Sequence, residues 1–145
     1  AGAYRHYHAA LMRTVVIGEP RPDHARYHAA AREALLACEA RLIPGTRLQD
    51  VFAAHAEVLD AHGLAAHRLN ACGYALGARF SPSWREPQMF HAGGTDEIVA
   101  DLVYFLHMII MDSDTGTAMS LGRTSLVTGA GAEPLSALPL EMTVR

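Results

Sequence analysis

The sequence contains no lysine, only two cysteines and one tryptophan, and no apolar run near the roughly 18 residues that span a membrane. Its arginines are scattered and its formal net charge is -3, so no basic block indicates a nucleic acid as partner. Cys38 and Cys72 lie far apart in the chain and match no metal or redox motif. We therefore predict a cytoplasmic protein with reduced thiols that neither spans a membrane nor binds nucleic acid.

The chain does contain enough apolar residues for one domain with a core. Of its 145 residues, 50% are hydrophobic and 19% are charged. Nine histidines are a high number for this length. Histidine titrates near neutral pH and ligates metals, so each one is a candidate for chemistry. The GxSxG, HExxH, P-loop and GxGxxG signatures are all missing.

The first half of the chain predicts one strand followed by two helices. Residues 3–18 combine aromatic and β-branched residues and end at Gly-Glu-Pro, which indicates one long strand. Residues 22–42 are rich in Ala, Leu, Arg and Glu, and predict a helix with Pro22 in its first turn. A second helix is predicted over residues 47–62, where Thr46 and Gln49 have the spacing of a capping box.

The second half predicts mainly strands. Short strands and a loop are expected over residues 70–87, and longer strands over 102–111 and 118–128, with a further short one around Val144. Residues 112–116 are typical of a hairpin tip, and residues 129–133 of a turn. The fold class is therefore α+β, with two helices on one face of a mostly antiparallel sheet. The first strand needs either a distant partner or one that precedes Ala1, and we expect the latter.

Three histidines in predicted strands are the main candidates for chemistry. His6 and His8 alternate with Tyr7, so a strand would put both histidines on one face. There they would either ligate a metal or line a polar pocket, or they would lie on the solvated face of an edge strand. His107 lies at the centre of the apolar run YFLHMII. Burying an imidazole without a partner costs about 1–3 kcal/mol. We therefore expect His107 to have a partner, either structural or functional.

Other polar residues favour structural roles. Asp112 and Asp114 are close enough to act as paired carboxylates, but their DSDTG setting is typical of a turn. Trp84, in a loop bounded by prolines, either lines a pocket or fastens that loop. Packing or surface roles are expected for the histidines in and beside the helices, which are His24, His28, His55, His62 and His67.

The order of these segments resembles the C-terminal catalytic domain of the creatinase, aminopeptidase P and methionine aminopeptidase family, the pita-bread fold. The resemblance rests on RTVVIGEP, two helices separated by IPGT, GYALGARFSPSW and the stretch from VYFLHMII to VTGAGAEPLS. It covers nearly the whole chain. It implies one partial domain over residues 1–145, with a curved sheet, in which the first half of the family's domain is missing.

The resemblance matches the family's metal-ligand positions to residues that build no two-metal site. A family aspartate falls on Ala10, the histidine of its GHGxG motif falls on Tyr74, and two glutamates fall on His107 and about Gly122. A dinuclear site needs several carboxylates to neutralise two cations. The sequence therefore looks most like the metal-free branch, represented by creatinase and ectoine hydrolase. No cofactor is expected, and Zn or Mn is the alternative.

For that branch, the resemblance implies hydrolysis of a C–N bond in a small ectoine-like or creatine-like molecule. A histidine near its free pKa can activate water and then protonate a leaving nitrogen. A phenol can donate to developing negative charge, and a guanidinium can hold a carboxylate. The implied catalytic residues are His107, Tyr74 and His8, and the implied substrate-binding residues are His6, Arg123 and Trp84.

Two other functions stay open. One is an Xaa-Pro aminopeptidase or dipeptidase with a reworked metal site that uses His6, His8 and His107. The other is a binding homologue that has kept the fold and lost catalysis. Each takes a small molecule or a dipeptide as ligand, and the resemblance implies a homodimer.

Overall fold

The computed structural model describes residues 1–145, and its first segment is divided into four short strands. β1 (Gly2–Tyr4) and β2 (Tyr7–Ala9) form a hairpin, followed by β3 (Leu11–Met12) and β4 (Val15–Val16). Arg5 and His6 form the two-residue turn of the hairpin at positive φ, 48° and 72°. The prediction of one long strand is wrong because the chain reverses direction at this turn.

Both predicted helices are confirmed. α1 (Pro22–Glu39) begins at Pro22, where the absent N–H would have had no partner in any case. α2 (Leu48–Ala61) is preceded by Arg47, and no side chain caps its N-terminus. The predicted capping box is therefore wrong. Instead, the Leu48 and Gln49 N–H groups donate to carbonyl oxygens of the 94–96 turn, which satisfies the first turn of the helix.

The main sheet is antiparallel throughout. Its order is β3-β8-β7-β5-β6, and β9 pairs with the same strand, β8, that pairs with β3. The bounds are β5 (Gly73–Leu76), β6 (Arg85–Met89), β7 (Val103–Asp112), β8 (Thr117–Thr128), β9 (Gly131–Pro134) and β10 (Thr143–Val144). β10 forms a separate parallel pair with β4. β9 begins inside the predicted 129–133 turn, which is therefore shorter than expected.

The hairpin of β7 and β8 is confirmed, and the first segment has a distant partner. Leu11 pairs with Arg123 and Met12 with Gly122, so β3 lies at the edge of the sheet beside β8. The partner that we expected to precede Ala1 is thus not needed for β3. The α+β class with two helices and a mostly antiparallel sheet is confirmed.

The two faces of the sheet have different surroundings. Along β7, Tyr104, Leu106, Met108 and Ile110 belong to the main core that packs against α1 and α2. The alternate residues face the other way. There Tyr74, Leu76 and Phe105 form a second, smaller cluster, and the His107 ring contacts two of them. We call this side the open face. No helix in the structure is long and apolar enough to cross a lipid bilayer.

Candidate active site

The centre of the open face brings together the four positions that the resemblance matched to family ligands. His107 pairs with Gly122 across β7 and β8, and Gly122 pairs on its other side with Met12 of β3. Ala10, just before β3, packs against the small cluster that contains Tyr74. Residues that are scattered in sequence from 10 to 122 therefore lie side by side on adjacent strands.

His107 is held in a nearly dry position without a partner for its side chain. It is 8% exposed, and its ring centroid lies 5.6 Å from that of Tyr74 and 5.7 Å from that of Phe105. Its Nδ1 is buried and has no hydrogen-bond partner, so the expected protein partner is absent. The backbone N–H donates to the Cys72 carbonyl at 2.9 Å, which holds the strand in place.

The environment of His107 makes it a neutral imidazole at neutral pH. Burial, together with the nearby positive charge of Arg85, lowers the pKa of His107 to about 4. The prediction that it titrates near its free value is therefore wrong for the unliganded protein. Its ring offers a lone pair rather than a charge to whatever binds on the open face.

Tyr74 carries a phenol that lies between two side chains of the following loop and strand. Its hydroxyl accepts a hydrogen bond from the Trp84 indole N–H at 3.2 Å. The Arg85 guanidinium lies over its ring, with Cζ 5.7 Å from the centroid. Trp84 thus fastens its loop and also borders the site, so both of the expected alternatives apply.

Arg85 is the residue that sequence reasoning missed. It pairs with Leu76, which puts its side chain on the open face, and the side chain makes no hydrogen bond or ion pair. In the sequence, the only sign of a role for Arg85 was that it directly follows Trp84, a predicted site residue. Only the pairing of β5 with β6 puts its charge above Tyr74 and close enough to His107 to lower that pKa.

His8 lies at the rim of the site, whereas His6 is exposed in the hairpin turn. The His8 ring is tilted against Phe80, with centroids 4.7 Å apart, and its buried Nε2 has no partner. His8 and Phe80 line a surface pocket together with Trp84 and residues 81–83. His6 is exposed in the hairpin turn, with its ring 6.3 Å from Phe80. The expected pair on one strand is corrected, because His6 belongs to the turn and only His8 to β2, although both rings lie beside Phe80.

Arg123 lies on the opposite face and is fully engaged there. It pairs with Leu106, whose side chain faces the helices. Its Nε and one terminal nitrogen donate to the Glu39 carboxylate at 2.6 and 2.5 Å, and Ser125 Oγ donates to the same carboxylate at 3.1 Å. This corrects the expected role of Arg123 in holding a substrate carboxylate. The adjacent residue, Gly122, is on the open face, because successive residues of a strand lie on opposite faces of the sheet.

The four matched positions do not fit a pair of metal ions. They supply one imidazole and one phenol and no carboxylate, whereas two bridged cations need several carboxylates. A side chain at Gly122 has no room. A Cβ there would lie 2.6 Å from the Leu106 carbonyl oxygen and 3.0 Å from two ring atoms of Phe105. Phe105 thus occupies the space above the position of the family glutamate.

The one cluster of three candidate metal ligands lies elsewhere, at the tip of the β7–β8 hairpin. It consists of His67, Asp112 and Asp114. Asp112 already accepts hydrogen bonds from the Tyr27 hydroxyl and from the N–H groups of Asp114 and Thr115. The Tyr27 hydrogen bond is the largest cause of an Asp112 pKa well below its usual range. The predicted turn role of Asp112 is confirmed.

Two buried histidines predict a loss of stability in mild acid. Neither nitrogen of the fully buried His55 has a hydrogen-bond partner, and burial followed by the Arg68 charge lowers its pKa to about 4, as burial does for His107. The unfolded value is about 6.5, so the unfolded state binds more protons between pH 6.5 and 4. Stability is complete above about pH 6.5. It falls toward pH 4 by about 1.4 kcal/mol per pH unit for each histidine.

Urea unfolding at pH 4.5 to 7.5 measures this slope. The His55→Leu variant should show about half of it, because one of the two groups is removed. The depressed pKa of Asp112 acts at lower pH, since its stabilisation is lost only below its ordinary unfolded value. Equal stability at pH 5 and pH 7 in the unaltered protein would contradict the prediction.

The chain is similar in sequence and fold to known proteins. The sequence model described as metallopeptidase family M24 matches residues 1–129. Ectoine hydrolase of Halomonas elongata is 29% identical over 148 residues, which cover 100% of this chain and 36% of that protein. The dipeptidase PepE from Mycobacterium ulcerans has 27% identity and a TM-score of 0.86, over 95% of this chain and 36% of that one.

A third similar protein shows the fold alone. The X-Pro aminopeptidase from Thermotoga maritima has a TM-score of 0.89 at 18% identity, over 98% of this chain and 39% of that one. The partial pita-bread fold is thereby confirmed. The chain spans just over a third of the length of these relatives.

Proposed function

We propose, since the chain belongs to metallopeptidase family M24, that it forms part of a hydrolase that cleaves a C–N bond in a small molecule without a metal ion. The observation that carries the proposal is the composition of the four matched positions: alanine, tyrosine, histidine and glycine stand where the resemblance puts one aspartate, one histidine and two glutamates of the family's metal site. The similarity to an ectoine hydrolase favours an ectoine-like or creatine-like substrate.

His107 is proposed to handle the proton. The His107 ring lies on the open face beside Tyr74, and its buried Nδ1 has no protein partner, so the ring would accept a proton from water and return it to the leaving nitrogen. A pKa of about 4 makes it a weak base in the free protein. The negative charge of a bound anionic substrate would offset the Arg85 charge, which is one cause of the lowered pKa, so the proton affinity of His107 would rise when substrate binds.

Tyr74 and Arg85 are proposed to orient the substrate. The Tyr74 hydroxyl accepts from Trp84, which leaves its own proton available for an oxygen that gains negative charge. The unpaired Arg85 guanidinium is suited to the carboxylate that ectoine-like and creatine-like molecules carry. His8 and Trp84 would contact the substrate at the rim. His6 is proposed only as a peripheral contact, and the homodimer and the cytoplasmic location stay predictions.

Chelation of the full-length protein separates the metal-free reaction from a metallopeptidase reaction. After prolonged treatment with EDTA and 1,10-phenanthroline, hydrolysis of ectoine or creatine should continue at its original rate, because no residue of the site depends on a cation. Elemental analysis should find no stoichiometric Zn or Mn. Loss of activity on chelation, restored by Mn and accompanied by cleavage of Xaa-Pro dipeptides, would replace this proposal with the dipeptidase alternative.

The same assays identify the binding residues. Arg85→Gln should raise KM for a carboxylate substrate. The same substitution at Arg41, an exposed arginine just after α1, should leave KM unchanged. A thermal shift with ectoine or creatine that is never followed by product would indicate the binding homologue instead.

A further inference from the structure

A surface pocket at the rim of the candidate active site is lined mainly by flat rings. Its volume is about 250 Å³, and its lining consists of His8, Phe80, residues 81–83 and Trp84. We call it the rim pocket. Phe80 and Trp84 are 52% and 47% exposed, which forfeits part of the hydrophobic stabilisation that these large rings would gain by burial. Exposed aromatic side chains that line a concave surface are typical of a site for a small molecule.

The rim pocket adjoins the centre of the candidate active site through Trp84. The Trp84 side chain lines the pocket, and its N–H donates to the Tyr74 hydroxyl at 3.2 Å. The backbone N–H of His8 donates to the Gly77 carbonyl at 2.9 Å, which fixes β2 beside the end of β5. The ring centroids of His8 and Phe80 are 4.7 Å apart. A molecule that contacts Trp84 in the pocket is therefore close to the Tyr74 hydroxyl.

The charges around the rim pocket favour a ligand with a negative charge. None of the lining residues carries a carboxylate. Arg79 directly precedes the lining segment and Arg85 directly follows it, and neither belongs to an ion pair. The carboxylate of Glu86, which lies beside Gly77, offsets one of these two charges. The net local charge is therefore positive and complementary to a carboxylate.

We propose that the rim pocket binds the flat, π-bonded part of a carboxylate substrate by stacking on Phe80 and Trp84, while Arg85 holds the carboxylate. Stacking between flat rings raises affinity by about 2- to 10-fold for each ring, beyond the effect of burial. The substrate class is then a carboxylate with a flat conjugated group next to the C–N bond that is cleaved. The inference rests on the proposed function for the role of the bound molecule as substrate, whereas its binding does not require hydrolysis.

Phenylacetate and cyclohexylacetate are the probes, because they have the same charge and nearly the same size but only the first has a flat π-bonded ring. Titration of each into the full-length protein by calorimetry should show that phenylacetate binds at least about 5-fold more tightly. Phe80→Leu should reduce this preference by about 2- to 10-fold. Tyr4→Leu is the matched control and should leave it unchanged, since Tyr4 is an exposed aromatic residue outside the pocket.

Two substitutions of Trp84 separate stacking from the contact with Tyr74. Trp84→Phe keeps a flat ring but loses the N–H that donates to the Tyr74 hydroxyl. It should therefore keep most of the preference for phenylacetate while the rate of hydrolysis falls. Trp84→Leu should lose the preference and the rate together.

Equal binding of the two probes, or tighter binding of cyclohexylacetate, would overturn the proposal. A lack of any binding of phenylacetate would do the same, as would a preference that survives in both Phe80→Leu and Trp84→Leu. Failure of the proposed function has a different signature. In that case the preference for phenylacetate and its loss in Phe80→Leu are observed, but no C–N hydrolysis is found, and the stacking pocket stands without the reaction.

Discussion

Replacement of His107 by leucine is expected to lower the rate of hydrolysis by about 10²–10⁴-fold without loss of stability. The proposed proton transfer has no other base on the open face in contact with Tyr74. Leucine has a similar volume and no nitrogen without a partner, and the backbone hydrogen bond to Cys72 does not depend on the side chain. Activity and the free energy of unfolding should therefore change independently.

His55→Leu is the matched control for this variant. It removes the other buried histidine whose ring nitrogens have no partners, but its position is in α2 on the side of the helices. Its stability should change in the same direction, while its rate of hydrolysis should fall far less than that of His107→Leu, since His55 acts on His107 only through space. Steady-state kinetics and urea unfolding of both variants provide the comparison. Full activity in His107→Leu or in His107→Ala would remove His107 from the mechanism.

The second large effect is expected at the ion pair between Glu39 and Arg123. The side chains are 9% and 14% exposed and join α1 to β8 through two hydrogen bonds. Arg123→Met should lower the free energy of unfolding by about 3–5 kcal/mol, because it leaves the Glu39 carboxylate buried without its cation. Ser125 alone donates to that carboxylate in the variant, and a single neutral hydrogen bond does not replace the charge.

The double variant Glu39→Leu with Arg123→Met supplies the control. Removal of both charges should restore much of the stability lost in either single variant, because a packed apolar pair avoids the cost of burying ions. Urea unfolding of the four proteins gives the coupling energy directly. If Arg123→Met kept full stability and instead raised KM for a carboxylate substrate, the assignment of Arg123 to a structural role would be wrong.

Local sequence signals were sufficient where one segment decides its own structure. The two helices followed from their residue types and apolar spacing, and the β7–β8 hairpin followed from two strand-like runs around DSDTG. The errors occurred where the local signal is missing or where a distant segment intervenes. The turn at Arg5 and His6 has no glycine to mark it. The donors at the start of α2 are satisfied by the 94–96 turn rather than by Thr46.

The candidate site shows the same division between local and distant information. The order of motifs was enough to select Tyr74 and His107 and to show that carboxylates are missing. The face on which a residue lies depends on strand register. The observed register puts Arg123 on the face that packs against the helices and Arg85 on the open face. The two cysteines matched no motif, and both become part of one core only when α1 packs against the strands.

By itself, the sequence determined the α+β class, the family resemblance and the replacement of the metal carboxylates, since these depend on residue identity and order along the chain. Only the tertiary structure decided which side chains meet. It left Nδ1 of His107 without a partner, put a free arginine above Tyr74 and paired Arg123 with Glu39. The physical reason is that burial and electrostatic interactions depend on distance in space and not on separation along the chain. Residues from 39 to 123 become neighbours only when the sheet and the helices pack together.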